Sequence, residues 1–191
     1  MNIAVLGSGN GGSALACEWA LKGHEVHIVD FERFPSMIRA IQKTGYISSQ
    51  GQIEGNGRIK YAGFDFGKAI ENAELIFAVG PAYSTEPFAE ACRPHLRKGQ
   101  IYVVCPTSCL GSLAFKRGLG LRLEDNSVIV AETSTLPYAV RILEPGRIHV
   151  YNRLKAGYFV ATLPSNLNEQ VFNMLVKVHD GIQPAKNVWQ T

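Results

Sequence analysis

Apolar residues along the chain come in short runs cut by glycine and polar breaks, and the runs alternate between strand and helix periodicity. Asn2 to Leu6 is a continuous β-branched and aliphatic run, the pattern of a strand buried on both faces. Ser13 to Lys22 reads as a helix broken by Gly23-His24, and Glu25 to Val29 as a second strand. Pro35 suits the first turn of a helix that carries Met37, Ile38 and Ile41 on one face and stops at Gly45. Tyr46 to Tyr61 reads as short antiparallel strands turning at Gly51 and Asn56-Gly57, an insertion in the alternating pattern.

Further helices are expected over Phe64 to Asn72, Ser84 to Leu96, Leu110 to Lys116 and Leu167 to Val178. Between them, Leu75 to Ala78, Gln100 to Val104 and Val128 to Ala131 read as strands. Ala139 to Ile142, Arg147 to Asn152 and Tyr158 to Thr162 are expected to extend the same sheet in antiparallel fashion. The pattern predicts an α/β fold with a mostly parallel sheet over residues 1–181, and a polar tail over 182–191 that leads into a linker.

The first thirty residues carry the chemistry. Gly7-Ser8-Gly9-Asn10-Gly11-Gly12 stands between the first strand and the first helix, and Asp30 closes the second strand eighteen residues after Gly12. Strand, G-x-G-x-x-G, helix, strand and acid form the Rossmann-type dinucleotide-binding unit of a doubly wound sheet. Gly7 permits the tight turn, Gly9 lets a pyrophosphate approach the backbone, and Gly12 lets helix and sheet pack closely. Free N–H groups at the helix start hold phosphate, and Asp30 accepts from the ribose hydroxyls. An acid at this position favours NAD. Arg33 offers a clamp for a 2′-phosphate, so NADP is the alternative.

At later strand ends, Val79-Gly80-Pro81 can lie against the cofactor, and Thr107 or Ser108 can either cap the next helix or touch nicotinamide or substrate. Glu132-Thr133-Ser134-Thr135 gathers a carboxylate and three hydroxyls suited to a polar small molecule.

Composition narrows the classes. Hydrophobic residues make up 46% and charged residues 18% of the 191, and the net charge of +3 is too small to argue for nucleic acid. No apolar stretch approaches the roughly eighteen residues of a membrane span. Met1 leads straight into the first strand, so a cytoplasmic protein is expected. Cys17, Cys92, Cys105 and Cys109 form no CxxC pair and read as buried free thiols, with no metal site.

Ala4 to Gly12, Gly23-His-Glu-Val26, Val79-Gly-Pro-Ala82, Glu132-Thr-Ser-Thr-Leu-Pro-Tyr138 and Arg141-Ile-Leu-Glu-Pro-Gly146 together resemble the N-terminal NAD(P)-binding domain of the octopine/nopaline (opine) dehydrogenase family. The first motif also suits ketopantoate reductase and glycerol-3-phosphate dehydrogenase. The resemblance implies NAD(P)H-dependent reductive condensation of an amino acid with a 2-oxo acid such as pyruvate. It implies Gly7, Gly9, Gly12 and Asp30 on the cofactor and Glu132 and Thr133 near the amino acid. It also implies a helical C-terminal domain with a catalytic His–Asp pair. The family's catalytic histidine has no matching position here, and neither His149 nor His179 takes its place, so no catalytic residue is assigned. The chain is expected to bind nucleotide and to turn over poorly alone, with a non-catalytic binding module as the other reading. An apolar face left where the helical domain docks would favour a homodimer.

Overall fold

The computed structural model describes residues 1–107 and 110–191. In chain order its strands are β1 (Asn2–Leu6), β2 (Glu25–Val29), β3 (Tyr46–Gly51), β4 (Gly55–Arg58), β5 (Tyr61–Gly63) and β6 (Leu75–Ala78). They continue with β7 (Ile101–Val104), β8 (Ile129–Thr133), β9 (Tyr138–Glu144), β10 (Arg147–Arg153), β11 (Tyr158–Leu163) and β12 (Ile182–Pro184). The helices are α1 (Asn10–Leu21), α2 (Pro35–Thr44), α3 (Phe66–Ile70), α4 (Thr85–Cys92), α5 (Gly111–Gly118) and α6 (Asn168–Leu175). The chain divides into two compact units, residues 1–79 with 138–153 and residues 80–137 with 154–191.

In the first unit β6, β1, β2 and β5 lie side by side, all parallel, with Ile3 opposite Val26 and Leu75 and with Ile28 opposite Ala62. The apolar runs of β1 and β6 are buried, as parallel strands covered on both faces must be. Helix α1 packs on β1 and β2 and also on β3, β4, β9 and β10, so one helix fills the space between two sheets. That explains its composition. Gly12, Ala14, Ala16 and Cys17 keep it thin, and every residue from Gly12 to Trp19 is buried. A helix buried all round needs no polar face.

The second sheet of this unit, in the order β4-β3-β10-β9, corrects two expectations. Asn56-Gly57 lies inside β4 rather than in a turn, because Gly57 is pressed on α1, where a Cβ would stand 2.6 Å from the Cys17 carbonyl oxygen. Strands β9 and β10 do not extend the parallel sheet: β10 pairs parallel with β3 and antiparallel with β9. The physical reason is side-chain alternation. Ile47, Ile148, Val150 and Val140 point to one face, and α1 is the apolar surface that covers it.

In the second unit β7 and β8 are parallel, β11 joins β8 antiparallel as the sequence predicts, and β12 runs parallel to β11. Residues 182–191, expected to begin a linker, are folded into this unit. Ala185 and Val188 pack with Ala161, Leu110 and Leu163. Asn168 fastens the segment, its Nδ2 donating to the carbonyls of Ala185 and Lys186 at 3.0 Å each.

Candidate functional site

The first unit carries the glycine turn. Gly7 has φ of 106°, a left-handed conformation that favours glycine, and its N–H donates to the Val29 carbonyl at 2.8 Å. Gly12 is jammed against the same residue: a Cβ there would sit 1.9 Å from the Gly7 oxygen. Gly9 is the opposite case, for a Cβ on it would meet nothing within 4 Å. Its φ of −70° is ordinary. So Gly7 and Gly12 are glycines for the fold, whereas at Gly9 the fold would accept a side chain.

Behind Gly9, helix α1 begins without a side-chain cap and without an acidic residue in its first turn. The first main-chain bond is from Ser13 N–H to the Gly9 carbonyl at 2.9 Å. The N–H groups of Asn10, Gly11 and Gly12 therefore point out of the helix end, where the dipole is positive. Such an end attracts an anion.

Asp30 braces the turn from the next strand. It is buried, and its Oδ2 accepts from both the N–H and the hydroxyl of Ser8 at 2.7 Å, while Oδ1 accepts from Phe31 N–H at 2.8 Å. A carboxylate has about four acceptor positions, so one on Oδ1 is left for a further donor. Ser8 is turned inward and spends its donors on Asp30. Arg33 is exposed and lies over the rings of Phe31 and Phe34, at 4.9 and 5.2 Å from their centroids. Asn10 accepts through Oδ1 from the Ile142 N–H of β9 at 2.7 Å.

Mid-helix, Glu18 takes Tyr138 Oη in a short hydrogen bond, Arg153 Nε at 2.9 Å and Lys22 Nζ at 2.7 Å. Burial opposes ionisation of Glu18, but Arg153, Lys22 and Tyr138 outweigh it and hold its carboxyl below the usual carboxylate range. Sequence reasoning missed this group, although a lone glutamate inside an otherwise apolar helix is a signal for one. Val79 ends the unit, buried, with its N–H on the Leu6 carbonyl at 2.8 Å.

The remaining candidates belong to the second unit. The Gly80 backbone is covered, since a Cβ would lie 2.3 Å from Ser84 Oγ, and Pro81 beside it is exposed. Thr107 acts as a cap: its Oγ1 accepts from Gly111 N–H at 2.9 Å. Glu132 Oε2 accepts from Ser112 N–H at 2.8 Å, and Oε1 accepts from the Thr191 hydroxyl at 2.8 Å. Glu132 and Thr133 are both buried, and Thr133 Oγ1 donates to the Val104 and Thr135 carbonyls. Thr135 is half-buried. Ser112, Thr191 and the fully buried Lys116, whose Nζ donates to the Leu123 carbonyl at 2.6 Å, had no signal in sequence.

Cys17, Cys92 and Cys105 are buried free thiols, as expected, and burial pushes them up to about 11, 12 and 11. Ser108 and Cys109 lie outside the described residues. Among the described residues no three His, Cys, Asp or Glu gather as a metal site, and no helix is long and apolar enough to cross a membrane.

Comparison with known proteins bears directly on this geometry. The sequence model of the family described as NAD-dependent glycerol-3-phosphate dehydrogenase N-terminus matches residues 2–108. The opine dehydrogenase of Arthrobacter sp. (strain 1C) is 32% identical over 166 residues, covering 85% of this chain and 44% of that protein. A glycerol-3-phosphate dehydrogenase (NAD(P)+) of Nitratidesulfovibrio vulgaris (strain DP4) is 31% identical over 107 residues, 54% of this chain and 31% of that protein. The structure of an octopine dehydrogenase in complex with NADH and agmatine superimposes with a TM-score of 0.79 at 22% identity, covering 97% of this chain and 48% of that one. The last likeness establishes the fold. The chain spans less than half the length of the curated relatives it matches.

Proposed function

The chain belongs to the family described as NAD-dependent glycerol-3-phosphate dehydrogenase N-terminus, and from that premise we propose that it is the NAD(H)-binding part of an opine-type dehydrogenase. One observation carries the reading. The start of α1 has no side-chain cap of its own, and Gly9 in front of it leaves open space where a side chain would stand.

In this reading the N–H groups of Asn10, Gly11 and Gly12 hold the pyrophosphate. Asp30 accepts a ribose hydroxyl at its remaining Oδ1 position, and Ser8 acts through Asp30 by keeping the turn in place. The bound cofactor supplies hydride. Among the second unit's candidates Pro81 is exposed and Gly80, Thr107 and Thr135 are half-buried, so these are the ones a ligand can reach, while Glu132 and Thr133 are buried. The likeness to the Arthrobacter opine dehydrogenase supports the opine-type reading, in which an amino acid and a 2-oxo acid are the reacting pair and the cytoplasm is the place of reaction. Arg33 would serve NADP(H) as the alternative cofactor.

Isothermal titration of the chain with NADH and NADPH tests this. NADH binding is expected, and no heat at millimolar ligand would reject the reading. Asp30→Ala is expected to weaken NADH more than NADPH, because the ribose hydroxyl it serves is phosphorylated in NADPH. Equal weakening would remove the ribose role.

A further inference from the structure

The second sheet of the first unit is no part of a minimal dinucleotide-binding unit, yet it reaches the glycine turn. We propose that β9 sets the carboxamide of Asn10 so that its amide group serves as a phosphate donor, which makes the second sheet a working part of the cofactor site; this rests on the dinucleotide reading above.

The geometry is specific. Ile142 N–H lies 2.7 Å from Asn10 Oδ1, across 132 residues of sequence. A backbone N–H can only donate, so the oxygen of the carboxamide must face β9 and the Nδ2 group must take the other branch. β9 is an edge strand of its sheet, and Ile142, beside the register shift against β10, directs its N–H to Asn10. Asn10 is the first residue of α1, half-exposed, beside the three N–H groups that no cap occupies. No described residue accepts from its Nδ2. A donor fixed there adds a fourth hydrogen-bonding group to the helix end, and the ligand that uses all four is a pyrophosphate rather than a single carboxylate.

β9 is also held firmly enough to do this. Tyr138 at its start and Arg153 at the end of β10 both grip Glu18, two turns along the same helix. Val140, Ile148 and Val150 are buried against the helix between those points. The strand and the helix are thus tied at both ends, and the orientation of Asn10 follows from packing remote from the turn.

The test sets two substitutions of Asn10 against each other. Asn10→Asp keeps the acceptor for Ile142 N–H and adds a charge that suits a helix start, but it turns the donor into a negative acceptor. Asn10→Ala loses both functions. Thermal melts of the 191-residue chain should rank the aspartate variant with wild type and the alanine variant below them. Titration with NADH should rank them in the reverse order, with alanine a few-fold weaker than wild type and aspartate weaker by about tenfold or more. Ile142→Pro, which deletes the same N–H on an edge strand where proline is tolerated, should weaken NADH several-fold with Asn10 intact. NADH affinities that simply follow the melting order would overturn the proposal, since a purely structural role predicts that. Wild-type binding with Asn10→Asp unchanged overturns this inference alone. A wild-type chain that binds no NADH overturns the dinucleotide reading with it.

Discussion

Helices α1 and α5 both follow a parallel strand, and each is held by one buried glutamate, but the two carboxylates sit at different places. Glu18 lies inside α1, where Arg153, Lys22 and Tyr138 surround it. Glu132 lies at the front of α5, on Ser112 N–H, while Thr107 takes Gly111 N–H. The first arrangement fastens a helix and leaves its positive end free. The second fastens a helix by filling that end with a negative group of the protein's own. Two helix starts of like origin therefore differ in what they can do, and only α1 is left to receive an outside anion.

The comparison can be broken at three points. Gly12→Ala should have the largest effect, because its new methyl meets main chain at the Gly7 oxygen and the turn must shift. We expect a loss of about 3 kcal/mol or more in urea unfolding and no measurable NADH binding. A melt within a degree of wild type would show that the turn is looser than described. Glu132→Ala comes next. It leaves Ser112 N–H buried without its partner, at a cost of about 2–3 kcal/mol, while the Thr191 hydroxyl keeps the Val188 carbonyl. It also empties the front of α5, so sulfate should raise the melting temperature of this variant more than that of wild type. Equal sulfate response would mean that α5 is closed for some other reason.

Glu18→Gln, which keeps an amide that can still accept from its partners, should cost least, about 2 kcal/mol at neutral pH, and its sign with pH is fixed. The folded-state carboxyl titrates below the ordinary value of 4.5. Its contribution is then complete above 4.5 and disappears as pH falls through the lowered folded value. The gap in stability between wild type and variant should shrink below that pH, and a constant gap would show that the pairing with Arg153 does not hold the proton off.

Much of this was legible from sequence, for local reasons. β1, β2 and β6 announce themselves as continuous apolar runs, and the glycine turn is readable because each glycine has a separate steric task. What sequence hid was non-local. Nothing near Ser48 indicates that its strand pairs with Arg147, ninety-nine residues away, so the second sheet appeared as an insertion and a sheet extension. Asn10 looked like a turn residue because its partner on β9 is equally remote. Glu132 showed only that a carboxylate stands near the end of a strand. Whether it meets a ligand or a helix depends on where α5 starts, and periodicity places that boundary only to within a residue or two.

Gly9→Val tests the central claim most directly. The fold has room for the side chain and its backbone angle suits valine, so stability and binding should come apart. The account predicts a variant that melts within about 2 °C of wild type, a shift worth less than about 1 kcal/mol, and binds no NADH in a calorimetric titration. A folded Gly9→Val chain that still takes NADH with wild-type affinity would contradict it.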